Sequence, residues 1–210
     1  MLIPLEKMIR KHNLNIKGIV HVGASEGQEL ESYHKNNIEH IVFIEALPAV
    51  YKKLLLRTQR FKKVQCINAC VSDVSGETVS FNVANNGGQS SSFLEFGTHE
   101  KMHPDVKFTK QIDLTTDTLE NILLNNIGVE GNHNMLVMDL QGAEGHALRG
   151  LGIYFDQFDY IYSEVNKDEV YQGCMQVDEM DAFLKEKGFE RVNTMWCGSF
   201  TWGDALYVRK

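Results

Sequence analysis

The stretch Gly18-Ile-Val-His-Val-Gly-Ala-Ser-Glu-Gly-Gln-Glu29 decides the fold. Gly18 to Val22 is a short, mostly apolar run that ends in turn residues, the pattern of a strand buried on both faces. The Gly/Ser turn that follows leads into a helix predicted from about Gly27 to Lys35. The unit then repeats. His40 to Glu45 (HIVFIE) is a second buried strand, Pro48 stands where a first helical turn tolerates it, and Ala49 to Arg57 carries the helix. Val64 to Ala69 is a third strand. Strands alternating with helices imply right-handed crossovers and a parallel sheet.

Upstream, residues 1–15 form an N-terminal helix. Downstream, the segment 77–114 breaks the alternation. Glu77 to Val83 alternates apolar and polar residues as a half-exposed strand does, Asn85 to Ser92 is a loop, and Val106 to Leu114 is a further strand. Regular order resumes with helix Thr116 to Asn125, strand Met135 to Leu140, helix Ala143 to Arg149, strand Phe158 to Val165 and helix Asp178 to Lys187. Phe189 to Met195 and Ala205 to Arg209 close the chain, joined by a turn with Gly198 and Gly203. Such a short connection makes these two strands antiparallel. The expected architecture is one α/β domain over 1–210, its parallel sheet finished by an antiparallel hairpin.

Composition bounds the function. The chain has 210 residues, 43% of them hydrophobic and 23% charged, enough to bury a core and too apolar for disorder. A net charge of −7 gives no electrostatic footprint for nucleic acid or an anionic membrane. There is no apolar run of about 20 residues and no unbroken apolar leader. Cys66, Cys70, Cys174 and Cys197 lack CxxC spacing, which fits reduced thiols in a cytoplasmic protein.

In an open α/β sheet, small ligands bind beyond the carboxyl ends of the strands, and the first strand–turn–helix builds that site. Gly23 tightens the turn and Gly27 permits close approach. Glu45 ends the next strand 22 positions after Gly23, near the offset at which an acid accepts hydrogen bonds from a ribose diol. An adenosine ligand follows. Glu26, Gln28, Glu29 and Glu31 in and after the turn oppose a pyrophosphate and tolerate a cation, which favours S-adenosylmethionine over NAD.

Two further patterns invite other chemistry. Gly23-Ala24-Ser25-Glu26-Gly27 spells the G-x-S-x-G elbow of α/β-hydrolases, but no earlier strand–loop supplies the oxyanion hole that elbow needs. His99-Glu100-Lys101-Met102-His103 spells H-E-x-x-H, the basis of the competing zinc-hydrolase reading. Gly97 and Pro104 leave room for a turn or two of helix there, so surface histidines in a loop are expected. A catalytically silent adenosine-binding module is the other competitor.

HVGASEGQE (21–29), VFIEALP (42–48), NACVSD (68–73), VMDLQGAE (137–144) and SEV (163–165) with nearby Tyr171 together resemble the FkbM family of S-adenosylmethionine-dependent methyltransferases. The blocks span about Ile16 to Arg209 in order. The resemblance implies a Rossmann-like class I methyltransferase fold, a seven-stranded sheet with its last strand antiparallel. It also implies methyl transfer, usually to a hydroxyl of a sugar, polyketide or similar small metabolite. Carried over by position, Gly23, Ser25 and Gly27 line the methionine part of the cofactor, Glu45 holds the ribose, and Ala46 flanks the adenine. Val71, Ser72 and Asp73 sit at the adenine edge, and Asp139 stands beside the methyl group. His21 replaces an acid found in many relatives, with Glu26 or Asp139 as substitutes for it, and Gln141 replaces a Glu.

Methyl transfer from a sulfonium is an in-line displacement that depends on positioning, helped by a base on the acceptor hydroxyl. Asp139 is the first candidate base and Glu164, on the next strand, the second. Asp139, Glu164 and Asn166 also offer oxygen ligands for a divalent cation, a weaker expectation than a wet crevice edge. His146 and His133 are expected to be solvated or packed, and Trp196 and Trp202 to be structural or to border the acceptor. The loop Gly87 to Phe93 with the stretch to Pro104 is expected to lie over the cofactor and shape the acceptor pocket.

Overall fold

The computed structural model describes residues 1–127, 132–198 and 200–210. Its elements in chain order are α1 (Leu5–His12), β1 (Gly18–Val22), α2 (Leu30–Lys35), β2 (His40–Glu45), α3 (Pro48–Thr58), β3 (Val64–Asn68), β4 (Cys70–Ser72) and β5 (Thr78–Ala84). There follow α4 (His99–Met102), β6 (Phe108–Thr118), α5 (Leu119–Asn126), β7 (Met135–Met138), α6 (Glu144–Arg149) and a 3-10 turn (Gly152–Gln157). The chain ends with β8 (Tyr160–Asn166), α7 (Val177–Glu186), β9 (Phe189–Trp196) and β10 (Trp202–Arg209).

Seven strands form the main sheet in the order β3-β2-β1-β7-β8-β10-β9. β1, β2, β3, β7 and β8 run parallel, and β10 inserts antiparallel between β8 and β9. The order reverses between β1 and β7, so the crevice beyond Val22 and Met138 is the topological switch point. The central strands are buried on both faces because helices cover both. Val20, Val22 and Leu136 join one core cluster, while Ile19, Met135 and Val137 join the other. That two-sided burial explains why these strands are continuous apolar runs rather than alternating ones.

The expected mixed α/β fold with a mostly parallel seven-stranded sheet is therefore present, and three of the boundaries that differ have a clear local cause. The third strand stops at Asn68. Cys70 to Ser72 turns away to pair in parallel with β6, making a separate small sheet in the order β4-β6-β5. β6 runs on to Thr118, so the helix expected at Thr116 begins at Leu119, where the Thr118 hydroxyl accepts the Asn121 amide at 3.2 Å as an N-cap. The helix expected from Gly27 begins at Leu30, because Ser25 and Gly27 both hold positive φ and spend those residues on the turn.

Candidate active site

The turn after β1 is held by its neighbours' backbones. The Gly23 and Ala24 amides both donate to the Ile44 carbonyl, at 2.9 and 3.0 Å, and the Asp139 amide donates to the Val22 carbonyl at 3.0 Å. Gly23 has φ +76°, and a Cβ there would lie 1.8 Å from the Asp139 carbonyl oxygen. Glycine is the residue that fits both the conformation and the approach. The β1 turn and the tip of β7 thus touch backbone to backbone.

Glu45 is buried, and both of its carboxyl oxygens accept backbone hydrogens. Oε2 takes the Ser25 amide and Oε1 the Leu47 amide, each at 2.8 Å. Burial raises its pKa against the pull of these bonds. The acid at the tip of β2 therefore ties the β1 turn to the start of α3, and each oxygen keeps a second lone pair for a ligand.

These elements open into a cavity of about 450 Å³. Gly23, Ser25, Glu45, Ala46, Val71, Asp139 and Glu164 line it, whereas Gly27, Ser72 and Asp73 do not. Gly27 packs against α3, where a Cβ would meet Leu54 at 2.7 Å. Asp73 is held at 2.8 Å by both His146 and Arg149, which keep its carboxyl far below the usual range. Glu26 also lies outside the cavity, paired with Lys53 at 2.7 Å, and the nearby acid that does line it is Glu29. His21 is buried in the wall, its Nδ1 3.0 Å from the Tyr33 hydroxyl, and burial lowers its pKa to about 4. A neutral imidazole stands there.

Beside the turn, acids from the tip of β7, from β8 and from β10 converge. Asp139 faces the open cavity yet is hemmed in by protein, which raises its pKa to about 6. Glu164 is buried and pushed well upward, and Glu144, on α6 behind them, is raised to about 7. Desolvation is the largest cause in each case, and mutual repulsion adds to it. Gln141 and Asp204 also line the wall. Gln141 entered the sequence reading only as the residue that replaces a Glu of relatives, and Asp204 did not enter it. Asp204 was locatable only through register, because β10 places it opposite Glu164.

The roof comes from the segment between β5 and β6, including Gly88, Ser90, Phe93 and His99. His99 corrects the expectation of a surface histidine. It is 6% exposed, its ring stacks on Phe96 at 4.3 Å, and its Nε2 lies 3.2 Å from the Ser90 hydroxyl. α4 is one turn long, His103 is exposed, and Glu100 pairs with Lys107. Among the described residues, no three His, Cys, Asp or Glu side chains are grouped so as to hold a metal ion. Asn166, considered as a cation ligand, does not line the cavity. Trp202 borders it and Trp196 does not.

A family model, the methyltransferase FkbM domain, matches residues 21–191. The chain belongs to the FkbM methyltransferase family. No curated protein matches it by sequence. Solved structures share its fold at low identity. A putative RNA methyltransferase from Pyrococcus horikoshii is 12% identical, with 98% of this chain and 80% of that one covered and a TM-score of 0.53. The magnesium protoporphyrin IX methyltransferase of Synechocystis, with S-adenosylmethionine bound, is 8% identical over 98% and 76%, TM-score 0.54. A methyltransferase of Corynebacterium glutamicum is 10% identical over 100% and 89%, TM-score 0.51. The family is that of FkbM methyltransferases, and the fold is the one these S-adenosylmethionine-dependent methyltransferases share.

Proposed function

We propose that this FkbM-family protein moves a methyl group from S-adenosylmethionine to a hydroxyl oxygen of a small metabolite, such as a sugar. The observation that carries the reading is the shared cavity. The Gly23 turn, Glu45 and the carboxyls of Asp139 and Glu164 all line it. The residues suit the cofactor: a cradle too tight for a Cβ at Gly23, a buried diol-binding acid with free lone pairs, and a volume in the range of ligand pockets. Bound there, S-adenosylmethionine supplies an electrophilic methyl group on a sulfonium sulfur.

The chain's own residues do the rest. Glu45 accepts the ribose hydroxyls, Ala46 and Val71 flank the adenine, and Gly23 and Ser25 border the methionine part. Asp139 accepts the acceptor's hydroxyl proton as the oxygen attacks, and its raised pKa brings it closer to the working range of a general base. The wall holds five carboxyls (Glu29, Glu45, Asp139, Glu164, Asp204) and, among the described residues, no Lys or Arg. Even with Glu164 held protonated by burial and the amino terminus of Met1 in the wall, this acidic lining disfavours a polyanion and supports a neutral or cationic small acceptor over RNA.

The test is transfer of labelled methyl groups to a panel of hydroxyl acceptors, with Asp139→Asn beside the native protein. Loss of turnover by about 10²- to 10⁴-fold with cofactor affinity retained is expected. Equal loss of both would remove Asp139 from the role of base.

A further inference from the structure

We propose that Gln141 is a positioning residue: its amide spans the Asp139 and Glu164 carboxyls and fixes them as a pair, and the Tyr171 hydroxyl fixes which way that amide faces. The functional meaning of the pair rests on the reading of Asp139 above. The arrangement itself does not.

Gln141 Nε2 lies 2.6 Å from Asp139 Oδ1 and 3.2 Å from Glu164 Oε2. An amide nitrogen carries two hydrogens, and both are used here. Gln141 Oε1 accepts the Tyr171 hydroxyl at 2.7 Å. Ionised Asp139 can only accept, so the nitrogen faces it, and the oxygen is left for a donor on the opposite side. Tyr171 is that donor. The backbone shows how firmly this is built. Gln141 has φ +52°, a left-handed conformation that is uncommon for a side-chain-bearing residue, and Gly142 follows at φ +95°. A Cβ on Gly142 would lie 2.6 Å from Tyr171 Cβ, so the tyrosine sits directly on the turn.

The surroundings give the amide its work. Asp139 feels the negative charges of Asp204 and Glu29 and, in the opposite sense, the amino terminus. It also faces Glu45. Glu164 feels Asp139, Glu144 and Asp204 and is hydrogen-bonded by Asn166. Two carboxyls so placed would otherwise turn apart or share one proton. A neutral double donor lets them stay close while Asp139 keeps its charge. A glutamate at this position would bring a third acid and no hydrogen to give, unless it were itself protonated.

The experiment follows the Asp139 carboxyl carbon by NMR in protein labelled with ¹³C-aspartate, titrated without cofactor, in the native chain and in Q141A, Q141E and Y171F. The expected midpoint in Q141A is higher by about one pH unit, the worth of a hydrogen bond to a charged group. Q141E should move further in the same direction. Y171F, which keeps the ring against Gly142 and so preserves the packing, should show a smaller rise. An Asp139 midpoint unchanged in all three variants overturns the proposal. If the native protein fails to bind S-adenosylmethionine, the functional reading falls, while the titration still decides the role of Gln141.

Discussion

At the residue scale, Glu144 shows how the acid cluster weighs on the fold. It is 2% exposed, and its Oε1 accepts the Leu140 amide at 2.7 Å. Its raised pKa, with that of Glu164, means the folded state binds protons that the unfolded state has released, so this contribution to stability is lost as pH rises. Buried His21 and His99 and half-buried His133, each lowered to about 4, act in the opposite sense. Their effect is confined to the interval between about 4 and the unfolded histidine value of about 6.5. Above that interval the acids act alone. Thermal stability of the cofactor-free protein should therefore fall from about pH 6.5 to 8. Glu144→Gln, whose carbonyl still accepts the Leu140 amide, should flatten that fall, and a slope unchanged by the substitution would show that Glu144 does not carry it.

At the scale of elements, the roof depends on one close backbone seam. The Gly97 amide donates to the Val170 carbonyl at 2.9 Å and the Thr98 amide to the Glu169 carbonyl at 2.9 Å. A Cβ on Gly97 would lie 2.0 Å from the Glu169 carbonyl oxygen. Gly97→Ala must therefore lift the 96–99 segment off the 169–171 loop, at a cost of about 1–3 kcal/mol, while leaving the main sheet intact. Hydrogen exchange should speed up across residues 85–107 and 168–172 and stay slow in β1, β2 and β7. Uniform protection in the variant would contradict the seam's role.

The same seam shows why part of the site escaped a reading of the sequence. β1, its turn and Glu45 are local features with fixed spacing, and strand periodicity and the ribose-acid offset display them directly. The burial of His99 is set by Phe96 together with Tyr171, which is 72 positions away in sequence. Gln141 acquires its partners only when Glu164 and Tyr171 are brought to it by β8 and the loop that follows. β4 leaves the main sheet because β6 offers it an edge, a pairing across more than 40 residues. Propensity and pattern carry no record of such contacts.

Across the whole molecule, strand order and charge agree. The β1/β7 reversal sets one crevice at the carboxyl ends of the parallel strands. Asp204 reaches the cavity because β10 returns antiparallel beside β8. No helix among the described residues is long and apolar enough to cross a membrane, and all four cysteines are free. An acidic chain of net charge −7 with acids concentrated in its cavity suits a cationic cofactor. Binding calorimetry with S-adenosylmethionine and with NAD, on the native protein and on Glu45→Ala, puts that to the most direct test. One saturable site for S-adenosylmethionine, none for NAD, and affinity weakened about 10- to 100-fold by the substitution are predicted. Equal binding of NAD, or S-adenosylmethionine affinity indifferent to Glu45, would contradict the account.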